Sequence, residues 1–357
     1  MRASRDSDAS EYVAVRDPPT REPTLATPAS LVTRAASLVT RVASLVTRVA
    51  ALLGTRPSTP RIESGTPLSK AWFDMADAPS ATSLGEEVDA RLERLELAFN
   101  AHGFDSYGVS RASLASGFRV MGWLYRHYFS VRCHGIEHVP PRGRVILVGN
   151  HSGGYAIDAG MVITSCFFEL EPPRLAHGMA DRFINRLPFF SQLASRTGQI
   201  TGLPQHARQL LADERVLLVF PEGARGTSKL FWNRYSHGQF GTGFMRLALT
   251  AQSPIVPFAF LGGGEAVPTI ANLELLGKLF GVPYVPLTPY LLPLPLPVQT
   301  ELRFGAPLRF TGTGDESQSE IQEQVDVVKA CIADLIAQGL AARKGKADAP
   351  PLGHTTD

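Results

Sequence analysis

Two short stretches hold the residue types that could do chemistry: GNHSGGYAIDAG at 149–160 and VFPEGARGTSK at 219–229, each directly behind an apolar run. The first offers a histidine, His151, and a carboxylate, Asp158; the second offers Glu222 and two cations, Arg225 and Lys229. An imidazole beside a carboxylate can take a proton from a hydroxyl, and a guanidinium can hold an anion bidentately. To cooperate, the two stretches must meet at one edge of the fold. The runs that precede them, RVILVG (144–149) and RVLLVF (215–220), are rich in leucine and β-branched residues without polar alternation. Such runs fit strands buried on both faces of an α/β sheet, in which functional groups gather at the carboxyl ends of the strands.

In that setting His151 reads as a general base, with Asp158, on the first turn of the helix after a Gly-Gly loop, reaching back to fix its tautomer. Glu222 is placed to bind a hydroxyl or to hold Arg225, and Arg225 to contact a phosphate or carboxylate. Gly223 and Gly226 let the backbone approach a ligand or simply make the turn, and Pro221 fixes that turn. Taken alone, His151 is better explained as a packed strand-end histidine and Asp158 as a helix cap; the second stretch shifts the balance toward catalysis. No G-x-S-x-G elbow lies near His151, and Ser152 reads as a loop residue, so no covalent intermediate is implied.

These residues carry a resemblance. Asn150, His151 and Asp158, then Phe220, Pro221, Glu222, Gly223 and Arg225, with Ala224 where a threonine is usual, resemble the hallmarks of the glycerolipid and lysophospholipid acyltransferase family (1-acylglycerol-3-phosphate acyltransferase-like). A third element, SPIVPFAF (253–260), resembles that family's Val-Pro-rich strand, and the similarity spans roughly 135–308, about half the chain. Two departures stand out. Six residues, Ser152 through Ile157, separate His151 from Asp158 where four are usual, which resembles a bacterial branch with a His-Ser-Gly-Gly loop. The arginine expected near GQITGLPQ (198–205) is missing, with Arg196, Arg208 and Lys229 the nearest substitutes.

The resemblance implies an O-acyltransferase that moves a fatty acyl group from acyl-CoA or acyl carrier protein to a hydroxyl of a lysophospholipid or glycerolipid. His151 and Asp158 would be catalytic, and Asn150, Phe220, Pro221, Glu222, Gly223, Arg225 and Lys229 would bind substrate. It implies no metal, no cofactor beyond the thioester co-substrate, and a peripheral position on the cytoplasmic face of a membrane. Two other readings stand beside it: a thioester or ester hydrolase working through His151 and Asp158, and a catalytically silent lipid-binding or scaffold protein whose amphipathic repeat does the main work.

Composition narrows the field. With Lys and Arg at 35 against Asp and Glu at 33, the net charge of +2 gives no case for nucleic acid as a partner. Cys133, Cys166 and Cys331 lie far apart without paired spacing, which speaks against a disulfide framework or a zinc knuckle, and read as small core or half-buried thiols. The start of the chain has no apolar signal region, and no stretch reaches the roughly 18 apolar residues of a membrane span.

The expected organisation is a polar tail, an amphipathic repeat and a linker over 1–84, a helical region over 85–130, an acyltransferase-like domain over 131–343, and a tail over 344–357. The repeat, SLVTRAA-SLVTRVA-SLVTRVA (30–50), sets an apolar arc against a polar face whose charges are all arginine, which suits an interfacial membrane helix or a self-associating one. The fold expected is α/β, a mixed, largely parallel sheet flanked by helices, with an N-terminal helical extension. Strands are predicted near 144–149, 174–179, 198–201, 215–220, 254–260 and 301–305, and a strand and turn at 133–138. Helices are predicted near 86–101, 112–129, 156–169, 181–195, 204–213, 241–251 and 318–343. Residues 267–298 read as a long apolar connection suited to acyl chains or a bilayer, its proline-rich end too broken for a helix.

Overall fold

The computed structural model describes residues 83–153, 156–180, 190–291 and 294–345. The N-terminal tail, the heptad repeat, nearly all of the linker, most of the C-terminal tail, residues 181–189 of one predicted helix and Gly154 of the Gly-Gly loop lie outside them.

Every described residue belongs to one compact unit, Pro79–Asp357. It begins with α1 (Leu84–Arg94), opened by a capping box in which Ser83 and Glu86 satisfy each other's backbone N–H. The predicted helix continued to residue 101. Instead Leu95 turns extended (φ −70°, ψ 117°) and joins Val88 and Leu92 in the core. Helix α2 (Arg111–Trp123) runs into a π-helical turn, Leu124–Tyr128, and buries Leu114, Phe118 and Tyr125, so the aromatic stretch packs inward.

The sheet follows: β1 (Arg132–His134), β2 (Val145–Gly149), β3 (Ala176–Ala180), β4 (Ile200–Thr201), β5 (Val216–Val219), β6 (Ile255–Leu261) and β9 (Glu301–Phe304), in the order β1-β9-β6-β2-β5-β3-β4. All pairs are parallel except β6 with β9, so the sheet is mixed and largely parallel, as the sequence predicts. The connecting helices are α3 (Ile157–Phe168), α4 (Phe190–Arg196), α5 (Pro204–Ala212), α6 (Gly243–Ala251) and the long α8 (Gln318–Arg343).

Alternation along β2 sorts the core into two layers, because successive side chains on a strand point to opposite faces. Ile146 and Val148 pack with α5, α6 and α8 through Leu210, Met245 and Val328. Val145 and Leu147 face α3 and the π-turn through Met161, Cys166 and Tyr125. The N-terminal helices close a third cluster on Phe167 and Phe168, where Phe118 stacks on Phe167 at 3.7 Å.

The stretch 267–298 departs from expectation. It holds β7 (Ala271–Leu273) and β8 (Val285–Leu287), paired antiparallel, with α7 (Glu274–Phe280) between them. Proline excludes helix only from the later part of this stretch; the ELLGKLF segment has none, and Gly281 closes it in a left-handed conformation (φ +71°).

At the amino ends of the central strands, Arg174 donates to the carbonyls of Pro140 (2.7 Å), Gly143 (2.6 Å) and Glu214 (3.0 Å). This one guanidinium thereby ties together the segments entering β2, β3 and β5. Arg174→Met should leave these acceptors without their donor and lower stability by about 2–4 kcal/mol. A fall in urea midpoint at unchanged slope would report it, and an unchanged midpoint would remove the staple.

Candidate active site

Parallel pairing of β2 with β5, Val145 opposite Val216 through Val148 opposite Val219, brings the two chemistry-bearing stretches out of the sheet side by side. Asn150 pins the end of β2 to β6: its amide donates to the Phe260 carbonyl (3.0 Å) and its oxygen accepts the Phe260 N–H (2.8 Å). Its side chain is thus committed to backbone and almost wholly buried.

His151 follows at the strand end. Its Nδ1 lies 2.7 Å from Asp158 Oδ2. The same oxygen accepts the Ser152 N–H (2.7 Å), and Oδ1 accepts the Ala159 N–H (2.8 Å). A carboxylate serving only as acceptor toward these donors leaves the shared proton on Nδ1 and the lone pair on Nε2. Nε2 has no partner among the described residues. Asp158 is fully buried while the His151 side chain keeps 12% exposure, so the pair has one accessible end. The ring stacks on Phe220 at 4.1 Å and 18°. Ser152 Oγ is buried without a partner, so no base activates it as a nucleophile.

Behind the histidine lies a buried ion pair. Lys229 Nζ is 2.7 Å from Glu222 and donates also to the His151 carbonyl at 3.3 Å. Glu222 further accepts the Gly238 N–H (3.0 Å) and, more weakly, the His151 N–H (3.4 Å). Of the two roles the sequence offered Glu222, holding Arg225 is not the one seen; it holds Lys229. Gly223 adopts φ +58° and ψ −152°, and the short helical turn Ala224–Thr227 then passes so close to His151 that a Cβ on Gly226 would sit 2.5 Å from His151 Cβ. Only glycine fits there.

Arg225 is exposed and pairs with no carboxylate among the described residues. It stands on the wall of a cavity of about 420 Å³ that also takes in Glu222, Lys229, Ser228, His237 and Asn272. His151 is not part of that wall; Lys229 and Glu222, which are, bond to its backbone carbonyl and N–H. Burial, then the Lys229 charge, pushes the His237 pKa below its usual value, so the ring is neutral and the cavity's uncompensated charge is that of Arg225. Arg196 and Arg208, the alternatives to the missing arginine, are both exposed and no described contact joins them to this cluster.

Sequence reasoning missed His237, Asn272 and Tyr284. Asn272 donates to the Ser228 carbonyl (2.7 Å) and the Tyr284 hydroxyl to Thr227 Oγ1 (2.6 Å), which straps the β7–β8 ribbon to the Phe-Pro-Glu-Gly turn. Burial raises the Tyr284 phenol to about 12, so it remains a donor. No local motif marks these residues; they reach the site from loops that the strand order brings round.

A mostly parallel sheet with helices on both faces and a His–Asp pair at its carboxyl edge is the setting in which the comparisons with known proteins fall. Residues 130–261 match the family model described as Acyltransferase. Uncharacterized proteins of Mycobacterium bovis and Mycobacterium tuberculosis are 31% identical over 236 residues, 63% of this chain; the match spans 66% of their own length. The "DGAT1/2-independent enzyme synthesizing storage lipids" of Bos taurus is 23% identical over 201 residues, 55% of this chain and 58% of that protein. Among solved structures, the 1-acyl-sn-glycerophosphate (LPA) acyltransferase of Thermotoga maritima covers 75% of this chain and 88% of its own at 14% identity and a TM-score of 0.43.

The buried ion pair makes a quantitative expectation. Glu222→Ala or Lys229→Ala each leaves an uncompensated buried charge and should cost about 3–5 kcal/mol, whereas the paired apolar change E222L/K229M should cost far less than the sum. Urea unfolding of the three variants checks this; additive losses would mean that the two side chains are not coupled.

Proposed function

We propose that the protein transfers a fatty acyl group from an acyl thioester, coenzyme A or acyl carrier protein, to a hydroxyl of a lysophospholipid or related glycerolipid. The observation that carries the reading is His151 Nδ1 held 2.7 Å from a fully buried Asp158, with Nε2 unpartnered, at the same sheet edge as the unpaired Arg225. The acceptor hydroxyl donates its proton to Nε2 as its oxygen attacks the thioester carbonyl. The carbon–sulfur bond then breaks, and the thiolate leaves with the proton returned by Nε2–H. Asp158 holds the ring and stabilises the imidazolium between the two transfers. A thioester is already activated, so the reaction calls on no further cofactor.

Arg225 supplies a fork for an anionic group on the acceptor. The Bos taurus relative, by its name an enzyme synthesizing storage lipids, supports a lipid acceptor. The proposed location is the cytoplasmic face of a membrane, supported by the sequence of the arginine-bearing repeat at 30–50. Among the described residues no helix is long and apolar enough to cross one.

An acyl-transfer assay over lysolipids, glycerol phosphate, and mono- and diacylglycerol, each with and without acceptor, tests the reading. Acceptor-dependent ester formation supports it, and free fatty acid at the same rate without acceptor would make the protein a hydrolase.

His151→Ala should lower turnover by about 10²–10⁴-fold with donor binding retained, and Asp158→Asn should also be severe because the amide favours the other tautomer. Near-normal turnover by either variant on a verified substrate removes the dyad. Arg225→Ala should raise the acceptor KM and leave the donor KM nearly unchanged. A loss confined to the donor would move this cavity to the thioester side.

A further inference from the structure

Helix α7 is built the wrong way round for a protein surface in water. Its inward contact is made by Gly277, where a Cβ would sit 2.5 Å from the Tyr284 backbone, while Leu275 and Leu279 stand outward at 84% and 76% exposure. Leu273, Leu276, Ile270 and Leu291 extend the same exposed apolar character across the ribbon and the turn beyond it. Between 267 and 291 the only charged residues are Glu274 and Lys278. Scattered exposed leucines need no explanation, but a contiguous set on a helix that turns its glycine inward does.

The segment is firmly placed. It is strapped to the Phe-Pro-Glu-Gly turn by Asn272 and Tyr284, and its lead-in is tied to the 231–233 turn by Phe231 N–H to the Thr269 carbonyl (2.8 Å). That turn carries Trp232, itself 66% exposed. Tryptophan is enriched at the boundary between lipid and water.

What covers this surface follows from its continuity with the candidate site. An open groove of about 450 Å³ is lined by Asn272, Leu273, Glu274, Leu275 and Leu276, and Asn272 also walls the polar cavity that holds Arg225. The polar cavity and the leucine-lined groove thus adjoin at Asn272. We propose that α7 and the β7 end of the ribbon dock on a lipid bilayer, their leucines entering the layer so that the acceptor's acyl chain passes along this groove without crossing water. A second copy of the chain seated on the same leucines would close the groove at Asn272, which argues for lipid as the occupant. The proposal rests on the acceptor being a lipid, as argued above, but its test does not depend on turnover.

The full chain with Cys133→Ser and Cys331→Ser and bearing L279C is labelled with an environment-sensitive thiol fluorophore, alongside V327C in the same background as control, since both native thiols are half-buried and free. Val327 is exposed on α8, whose Gly339 meets Leu261 at the site edge of the sheet, so it lies roughly 18 Å back along that helix. Vesicles of equal parts phosphatidylcholine and phosphatidylglycerol, with and without nitroxide-labelled lipid, are then added. The expected result is a blue shift and nitroxide quenching at position 279 and neither at 327. In the same vesicles, L275D/L279D should bind at least about tenfold more weakly. Equal quenching at the two positions, or none at 279 while the protein is vesicle-bound through its N-terminal repeat, overturns the proposal. So does a label at 279 already shielded before lipid is added, which would mean that the chain or a second copy covers the helix. Loss of acyl transfer with quenching intact would instead count against the acceptor reading alone.

Discussion

The constraint on which the rest of the site depends is the parallel register of β2 and β5. With Val148 opposite Val219, the next residues of each strand leave the sheet level with one another, so His151 and Glu222 emerge on neighbouring loops. A slip of one residue would turn every side chain of a strand to the other layer, exchanging the Ile146–Val148 set with the Val145–Leu147 set. The two-sided burial of β2 therefore fixes the position of the histidine as surely as any contact the histidine makes itself. Asn150 adds the third strand to this arrangement by spending its amide on the Phe260 backbone, which aligns the end of β6 with the end of β2.

On that platform the polar groups divide into those that support and those left open. Glu222 and Lys229 neutralise each other in a nearly dry setting, at 1% and 9% side-chain exposure, and between them hold the backbone at His151 and at Gly238. Isolated, either charge would be a heavy cost; together they stiffen the loop that bears the base. Asp158 is likewise consumed by the ring and by two backbone N–H groups. Among the described residues the Nε2 of His151 and the guanidinium of Arg225 remain without a protein partner at the accessible side of the site, while Ser152 Oγ, His237 Nδ1 and Asn272 Oδ1 are unpartnered in its buried part. A proton acceptor and an anion holder at one sheet edge are what the proposed acyl transfer to an anionic amphiphile would use.

The central strands and the His–Asp pair were legible because their signals are local. An unbroken apolar run means a buried strand, and a His placed just behind one lands on the carboxyl edge whatever the rest of the chain does. The roles within the Phe-Pro-Glu-Gly stretch were less legible. Sequence spacing sets Glu222 three residues from Arg225, yet the Ala224–Thr227 turn carries the arginine outward and brings Lys229, seven residues on, to the glutamate. His237, Asn272 and Tyr284 could not have been found in this way, since they reach the site through loop packing and not through periodicity. The stretch 267–298 misled for a different reason: prolines near its end hid a seven-residue helix that precedes them, one whose apolar residues face out and so break the pattern by which helices are recognised.

That broken pattern is itself a statement about the surroundings of the protein. Amphipathic periodicity finds helices because water selects against exposed leucine, and a helix that exposes its leucines while remaining anchored at Asn272 and Tyr284 is what the proposed docking on a lipid layer would require. The anchoring is to the turn that carries Arg225, two positions before Thr227, and not to a remote part of the domain. Any force that seats α7 in an apolar layer is therefore applied within a few residues of the group proposed to hold the acceptor. Under the proposed docking, the medium that supplies the substrate and the residues that receive it would be coupled by two hydrogen bonds, and the local rule broken at α7 would be set by the surface on which it docks.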